Sequence, residues 1–369
     1  GSLVSAGAQM LKTLGNLTLT EVHSTAAGVT LQGTGDVRVD TMAARDDLTL
    51  AGDSLALGSA SSSHGDLSAT LVNRFSADTL NALGDWTLTA ASADVGLATI
   101  GGNVQQTLTG TLDMTDLVAG GNWSLNGAQS TIGTTDIGGA VSMTQSGLLT
   151  LGTLTGDSSW TLNGTSAKVT TATLAGQVDT TLSGDLDLGT LTGQQGWMLD
   201  AANATIARAE LTGNVQQTLD GTLDMTDLVA GGSWTLDGAQ STIGTADIGG
   251  AVSMTQSGLL TLGTLNGDSN WTLNGTSAKV TTATLAGQVD TTLTGDLDLG
   301  TLTGQQGWML KAANATIAKA KLTGDVRQTV TGMLDMTDLE AGGNWTLNGA
   351  KSTIGSADIG GAVSMTQSG

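Results

Sequence analysis

Apolar and polar residues alternate in short runs along this chain. Around Trp123 the apolar positions are Trp123 and Leu125, then Ile132, then Ile137, and the stretch that begins at Val141 repeats the pattern. An alternation with a period of two is typical of β-strands that bury one face. The sequence therefore predicts three short strands per repeat, all with their apolar side chains directed inward.

The tryptophans fix the length of the repeat. They recur with a constant 37-residue period, and a valine lies midway between each pair, as Val104 lies between Trp86 and Trp123. Coils of 18-residue and 19-residue length therefore alternate. The tryptophans are Trp86, Trp123, Trp160, Trp197, Trp234, Trp271, Trp308 and Trp345. Steps of the longer coil length back from Trp86 reach Leu67, Leu48, Val29 and Met10, which predicts 20 coils in all.

Glycine, asparagine and aspartate separate the apolar segments, as at Asn126-Gly127, Gly133 and Gly138-Gly139. These residues tolerate left-handed backbone angles, so we expect them to form the corners of each coil. Three strands and three corners in 18–19 residues predict an all-β fold, a parallel β-helix of about 20 coils. Parallel crossovers are almost always right-handed, so the predicted helix is right-handed.

The sequence also has a longer period of 111 residues. The stretch that begins at Gly101 returns at Thr212 and once more at Thr323, so three 37-residue double coils form one copy. Residues 1–85 keep the coil length with looser sequence, and residues 86–369 carry the regular double coils. We expect both parts to belong to one β-helix.

The position of Trp123 is occupied by tryptophan, valine or leucine in successive coils, which indicates a core position. Trp123 and Leu125 share a strand face, so an exposed tryptophan ladder that binds carbohydrate would also expose the leucines. Alternation with valine leaves room for each ring. We expect the indole N–H groups to donate to carbonyl groups at the corners.

Composition narrows the classes of function. The chain has 369 residues, a net charge of −21, 55 glycines and neither cysteine nor proline. This acidity argues against nucleic-acid partners, and the absence of long apolar runs argues against membrane insertion. Without cysteine there are no disulfide bonds and no thiolate ligands or nucleophiles.

The candidate chemical groups form uniform ladders. Five aspartates lie between two inward apolar residues, so we expect them to face solvent. Successive positions of this kind are two coils apart, about 10 Å, and Thr150 and Thr261 occupy the equivalent positions of other units. The aspartates are Asp113, Asp187, Asp224, Asp298 and Asp335. His23 and His64, the only histidines, have no neighbouring ligands in sequence, and no calcium-binding GGxGxD repeat, P-loop, GxSxG or HExxH motif occurs. The sequence therefore predicts no catalytic, cofactor-binding or metal site and no enzyme.

Two further patterns lie at positions expected to be exposed. Asn-x-Ser/Thr matches are a weak signal for glycosylation, because asparagine also suits corners; they occur at Asn16, Asn122, Asn163, Asn203, Asn270, Asn274, Asn314 and Asn344. Asp200, Arg208 and Glu210 are replaced in the next copy by lysines, Lys311, Lys319 and Lys321. This small basic group either contacts a partner or reflects drift at exposed sites, and we favour drift.

Short motifs carry a resemblance to a known family. GNLTL (15–19), DDLTL (46–50), GDWTL (84–88) and GNWTL (343–347) resemble the haemagglutinin repeats of filamentous-haemagglutinin-like exoproteins. Gram-negative bacteria secrete these proteins by the two-partner pathway. The strict tryptophan ladder departs from their usual leucine and valine coils.

The resemblance implies a secreted or cell-surface protein, exported by an outer-membrane two-partner transporter, that acts in adhesion or biofilm formation. We expect the shaft of an adhesin that holds binding regions for a host receptor or polysaccharide away from the cell. The alternatives are the stalk of a contact-dependent growth-inhibition toxin and a shaft that itself binds polysaccharide. A β-helical polysaccharide lyase or hydrolase ranks third, because a constant coil length leaves no room for catalytic loops.

The two ends of the sequence suggest a piece of a longer chain. Gly1-Ser2 looks like a cloning remnant, and the sequence stops shortly after Val363, within a coil. We expect such an open coil to favour end-to-end self-association, because its strand groups are unpaired.

Overall fold

The computed structural model describes residues 1–368, which contain β-strands and no helix. Parallel strands are stacked as a β-solenoid of about 19 turns, which confirms the predicted fold class. The right-handed turn of the coils stays a prediction, as does the division between looser and regular coils at residue 85. Contacts divide the chain into two compact units, Gly1–Ser183 and Gly184–Gly369.

The first unit contains sixteen strands. They are β1 (Ser2–Ser5), β2 (Gln9–Leu14), β3 (Leu17–Ser24), β4 (Val29–Ala44), β5 (Leu48–Ser62), β6 (Leu67–Leu71), β7 (Arg74–Ala82), β8 (Trp86–Ala90), β9 (Ser92–Ile100), β10 (Val104–Leu108), β11 (Thr111–Ala119), β12 (Trp123–Gly127), β13 (Gln129–Ile137), β14 (Val141–Gly156), β15 (Trp160–Leu174) and β16 (Val178–Leu182).

The second unit contains fourteen strands among its described residues. They are β17 (Asp185–Gly193), β18 (Trp197–Ala201), β19 (Asn203–Leu211), β20 (Val215–Ala230), β21 (Trp234–Ile248), β22 (Val252–Gly267), β23 (Trp271–Leu285), β24 (Val289–Leu293), β25 (Asp296–Gly304), β26 (Trp308–Ala312), β27 (Asn314–Leu322), β28 (Val326–Ala341), β29 (Trp345–Ile359) and β30 (Val363–Gln367).

Each coil has three faces, which we name from the coil of Trp123. The first face is β12, the second is residues 129–132 and the third is residues 134–137; β13 carries the second and third faces and turns at Gly133, which has no partner in the strand register. Val104 is aligned with Trp123, and Trp123 is aligned with Val141, so the predicted alternation of longer and shorter coils is confirmed.

The first step of the ladder differs from the prediction. Gln9, and not Met10, is aligned with Val29, so this step is longer than the predicted 19-residue coil. Ser5 is still aligned with Ser24, so the added length lies in the turn that precedes Val29. The alternation of inward and outward positions then buries Gln9 and leaves Met10 66% exposed.

The interior is filled by complementary side chains. All eight tryptophans are at most 3% exposed, which confirms that they are core residues. In coils led by tryptophan the second and third faces each begin with a small inward residue, and the third face ends with a large one. In coils led by valine both faces begin with leucine, and the third face ends with glycine or alanine. Examples among the buried residues are Trp160, Ala167, Ala172 and Leu174 in one coil, and Val141, Leu149, Leu154 and Gly156 in the other.

The glycines serve close stacking rather than left-handed turns. Among the described residues only Gly15 and Gly35 have a positive φ, of 133° and 112°, so the expected left-handed corners are wrong for the other glycines. A Cβ on Gly138 would lie 2.6 Å from the carbonyl oxygen of Gly120 in the preceding coil. Asn126-Gly127 is not a corner either, because β12 runs through Gly127 and the chain bends at Ala128.

Candidate functional site

Four of the eight indole N–H groups donate to side chains that the sequence did not reveal, and those of Trp86, Trp160, Trp197 and Trp271 have no partner within residues 1–368. The expected corner carbonyls are wrong. Trp123 donates from Nε1 to Oε1 of Gln106 at 3.0 Å, and Trp234 and Trp345 donate in the same way to Gln217 at 3.0 Å and Gln328 at 3.1 Å. Each glutamine lies in the preceding coil and is at most 1% exposed.

The residue at this partner position varies through the copy. Trp308 donates to Oγ1 of Thr291 at 3.4 Å. Trp160 and Trp271 follow coils with Met143 and Met254 at this position, and their N–H groups have no partner within residues 1–368. A buried donor without a partner is destabilising, so these polar interior groups affect stability and not ligand binding.

A second polar pair lies inside the same copies. The hydroxyl of Ser130 donates to Oε1 of Gln145 in the next coil at 3.0 Å, and Ser241 donates to Gln256 at 2.9 Å. All four side chains are at most 2% exposed. Solvent does not reach these pairs, so they offer no binding site.

Asparagine and aspartate form a ladder along the corner that precedes the first face. The Asn103 side-chain oxygen accepts the backbone N–H of Asn122 at 2.9 Å, and Asn122 accepts that of Ala140 at 2.8 Å. Asp47, Asp66 and Asp85 continue the ladder toward the N-terminus with bonds of 2.7–2.9 Å. The turn role expected for asparagine is thus confirmed for Asn122, and the same role is seen at Asn270 and Asn344. Glycosylation of the Asn-x-Ser/Thr positions stays a prediction.

The five aspartates of the second face are exposed, as predicted. Threonines separate several of them: Thr131 follows Asp113, and Thr242 follows Asp224. The sequence did not predict that Asp94 is aligned with Asp113 on the adjacent coil, so these two carboxylates are one coil apart and not the expected two. Asp94 pairs with Arg74 at 3.0 Å and Asp298 pairs with Lys279 at 3.5 Å.

Two of the three lysines of this group, Lys319 and Lys321, form ion pairs with the next coil. Lys319 lies 3.4 Å from Asp338, and Lys321 lies 2.7 Å from Glu340. The Ser356 hydroxyl and the Lys319 ammonium group hold the pKa of Asp338 below its ordinary value. Lys319 and Lys321 therefore do not form a basic surface that is free for a partner.

The histidines do not meet. His23 lies in β3, and His64 follows β5 and has Nδ1 3.1 Å from the Ser63 hydroxyl. Within residues 1–368, no group of three or more histidine, aspartate or glutamate side chains is arranged to hold a metal ion. The same residues contain no helix that is long and apolar enough to cross a membrane.

An irregular depression lies on the outer surface of the first coils. It has a volume of about 350 Å³ and includes Asp36, Arg38, Ser54 and Arg74. Sequence reasoning missed it, and the only signal in the sequence was that residues 1–85 depart most from the repeat. The structure adds that these residues contain the only two glycines with a positive φ among the described residues. In comparisons with known proteins, no family model, no curated protein and no solved structure matches this chain.

Proposed function

We propose that this chain is the structural shaft of a secreted or cell-surface bacterial adhesin. In this role it holds binding regions away from the cell during attachment or biofilm formation. The solenoid fold is the observation that carries the proposal, since successive coils pair in register and the polar pairs lie in the interior. Such stacks lengthen with each added repeat without a new core.

The outer surface supports the same role. Its aspartates, asparagines and threonines form ladders that repeat from coil to coil, and enzymes require different groups that converge on one point. The ladder of corner asparagines and aspartates bonds one coil to the next, so side chains at the surface also contribute to stacking. The resemblance to haemagglutinin repeats supplies the secreted, adhesive context of the proposal.

The length of the repeat array provides the test. Attachment of bacteria to a surface is measured for parent proteins that differ by whole 111-residue copies, with equal amounts on the cell surface. We expect the distance at which cells are held to increase with the number of copies, while the affinity for the receptor stays the same. An attachment distance that does not depend on copy number would refute the shaft.

A further inference from the structure

The depression in the first unit differs from every repeated feature of the surface. It lies on the outer side of the second face and extends over four coils, from Asn16 and Thr18 to Arg74 and Ser76. Val37 and Leu55, at most 5% exposed, lie beneath it and belong to the core. The volume of about 350 Å³ is at the lower end of the range for small-ligand sites.

The shape follows from the strand register. Arg38 is aligned with Ala56, and Ala56 is aligned with Ser76, so a long side chain is followed by two short ones. Arg74 lies on the same coil as Ser76, two positions before it. The two arginines therefore border a low floor from opposite corners, about 10 Å apart along the stack.

The rim is held by an unusual backbone. Gly15 and Gly35 have a positive φ, and each directly precedes a residue of the rim, Asn16 or Asp36. The backbone N–H of Asp36 donates to Oδ1 of Asn16 at 3.0 Å, and that of Gly35 donates to Asp53 at 2.9 Å. The rim is thus fixed before any ligand binds, which lowers the entropy cost of binding.

The arginines retain free hydrogen-bond donors. Arg38 uses Nε for Asp40 at 3.3 Å, and Arg74 uses Nη2 for Asp94 at 3.0 Å. Neither guanidinium group makes another ion pair within the part of the chain that the structure describes, and both side chains are at least 60% exposed. A planar guanidinium group that is fixed at one edge presents its other N–H groups to a carboxylate.

We propose that this depression binds an acidic saccharide, with a uronate carboxylate held by Arg38 and Arg74. The hydroxyls of Ser54 and Ser76 and the carboxylate of Asp36 also line the depression and offer hydrogen-bond partners for sugar hydroxyls. Asp36 also disfavours a phosphate monoester, whose second negative charge it would repel more strongly than the single charge of a carboxylate. The chain has 12 basic residues in 369, so two arginines at one depression mark a specific place on an acidic surface.

Binding of a short oligogalacturonate to the whole chain tests the site. The assay is isothermal calorimetry at about 0.15 M salt, where the Debye length of about 8 Å screens the distant acidic ladders. We expect the variant Arg38→Gln/Arg74→Gln to bind about tenfold more weakly or worse, since each lost charge-assisted bond is worth more than a neutral one. The fully methyl-esterified oligosaccharide should not bind.

Arg208→Gln is the matched control, because Arg208 is an exposed, ion-paired arginine of the second unit. It should leave the affinity unchanged, and far-UV circular dichroism should show that every variant keeps its β-structure. Absence of oligogalacturonate binding, equal affinity in the double variant, or stronger binding of a sulfated oligosaccharide would each overturn the proposal. These outcomes are independent of the shaft function, which depends on copy number and not on the arginines.

Discussion

At the scale of single residues, the interior combines large aromatic rings with a few polar partners. Gln106, Gln217 and Gln328 each accept an indole N–H inside a solvent-free core, whereas Met143 and Met254 occupy the same position without an acceptor. A glutamine here satisfies the ring but has an amide group of its own to satisfy. Nε2 of Gln106 has no partner within residues 1–368, and Nε2 of Gln217 has only the weak acceptor Sδ of Met225, at 4.0 Å. Glutamine and methionine are therefore close in energy at this position.

Replacement of Gln217 tests this balance. Gln217→Met recreates the arrangement of Met254 and Trp271, so we expect the free energy of unfolding to fall by about 1 kcal/mol or less. Gln217→Ala removes the same acceptor and leaves a cavity, so we expect a loss of about 2–4 kcal/mol. Urea denaturation of the two variants and the parent chain gives the comparison, and equal losses in both variants would contradict the explanation.

Gly156 provides a second test at the residue scale. Its Cβ would lie 2.8 Å from Cδ2 of Leu174 in the next coil, so the glycine leaves room for that leucine. We expect Gly156→Val to destabilise the chain by about 1–3 kcal/mol through overpacking. Leu174→Ala in the same chain should recover part of this loss, which a double-mutant cycle measures. If the two losses simply add, contact between these residues is not the cause.

The sequence was sufficient for the positions that follow a strict period and insufficient for those that depend on a neighbour in space. Burial of Trp123 and its alignment with Val141 followed from spacing alone. The bond from Trp123 to Gln106 did not, because it joins residues of successive coils whose proximity is known only once those coils are in register. The depression around Arg38 was missed for the same reason, since its shape depends on which side chains of four coils are short.

At the scale of strands, the parallel register places equivalent residues of successive coils directly beside one another. A substitution in one coil therefore changes the contacts of the aligned residue in the next coil, as in cross-strand pairs of other sheets. Glu210 is aligned with Val229, whereas in the next copy Lys321 is aligned with Glu340. The two changes compensate, since a glutamate at position 321 would face the like charge of Glu340.

A double-mutant cycle tests this compensation. We expect Lys321→Glu to lower stability by about 0.5 kcal/mol, because an exposed ion pair is replaced by two like charges. Lys321→Glu/Glu340→Val, which recreates the pair of the preceding copy, should restore the stability of the parent chain. Thermal denaturation at low and high salt gives the measurement, and the effect should shrink at high salt. A loss that does not depend on salt would point to packing instead of charge.

At the scale of the whole molecule, the polar pairs of the interior define a repeat longer than the coil. Ser241 and Gln256 belong to successive coils of one copy, whereas Ala204 and Ala278 occupy the position of Ser241 in other double coils. The side-chain oxygen of Gln256 therefore has its hydrogen-bond donor only where the preceding coil carries Ser241, while Nε2 has no partner within residues 1–368. The 37-residue double coils are similar in shape, but only the 111-residue copy repeats the hydrogen bonds.

Two internal deletions distinguish these repeats. Removal of residues 215–325 brings Val326 behind the coil of Trp197, where Val215 stood, so every interior pair keeps its type. Removal of residues 215–251 places Gln256 behind Ala204 and leaves its side chain without the serine, at a cost of about 1–3 kcal/mol for the unsatisfied group. We expect the first deletion to unfold in urea at nearly the midpoint of the parent chain and the second at a lower midpoint. In the chain that lacks residues 215–251, Gln256→Leu should raise the midpoint to that of the longer deletion, because leucine occupies the equivalent position in other coils, as Leu219 and Leu293. Equal midpoints for the two deletions without that substitution would mean that the interior pairs do not set the repeat. The length of this molecule could then change by single 37-residue double coils.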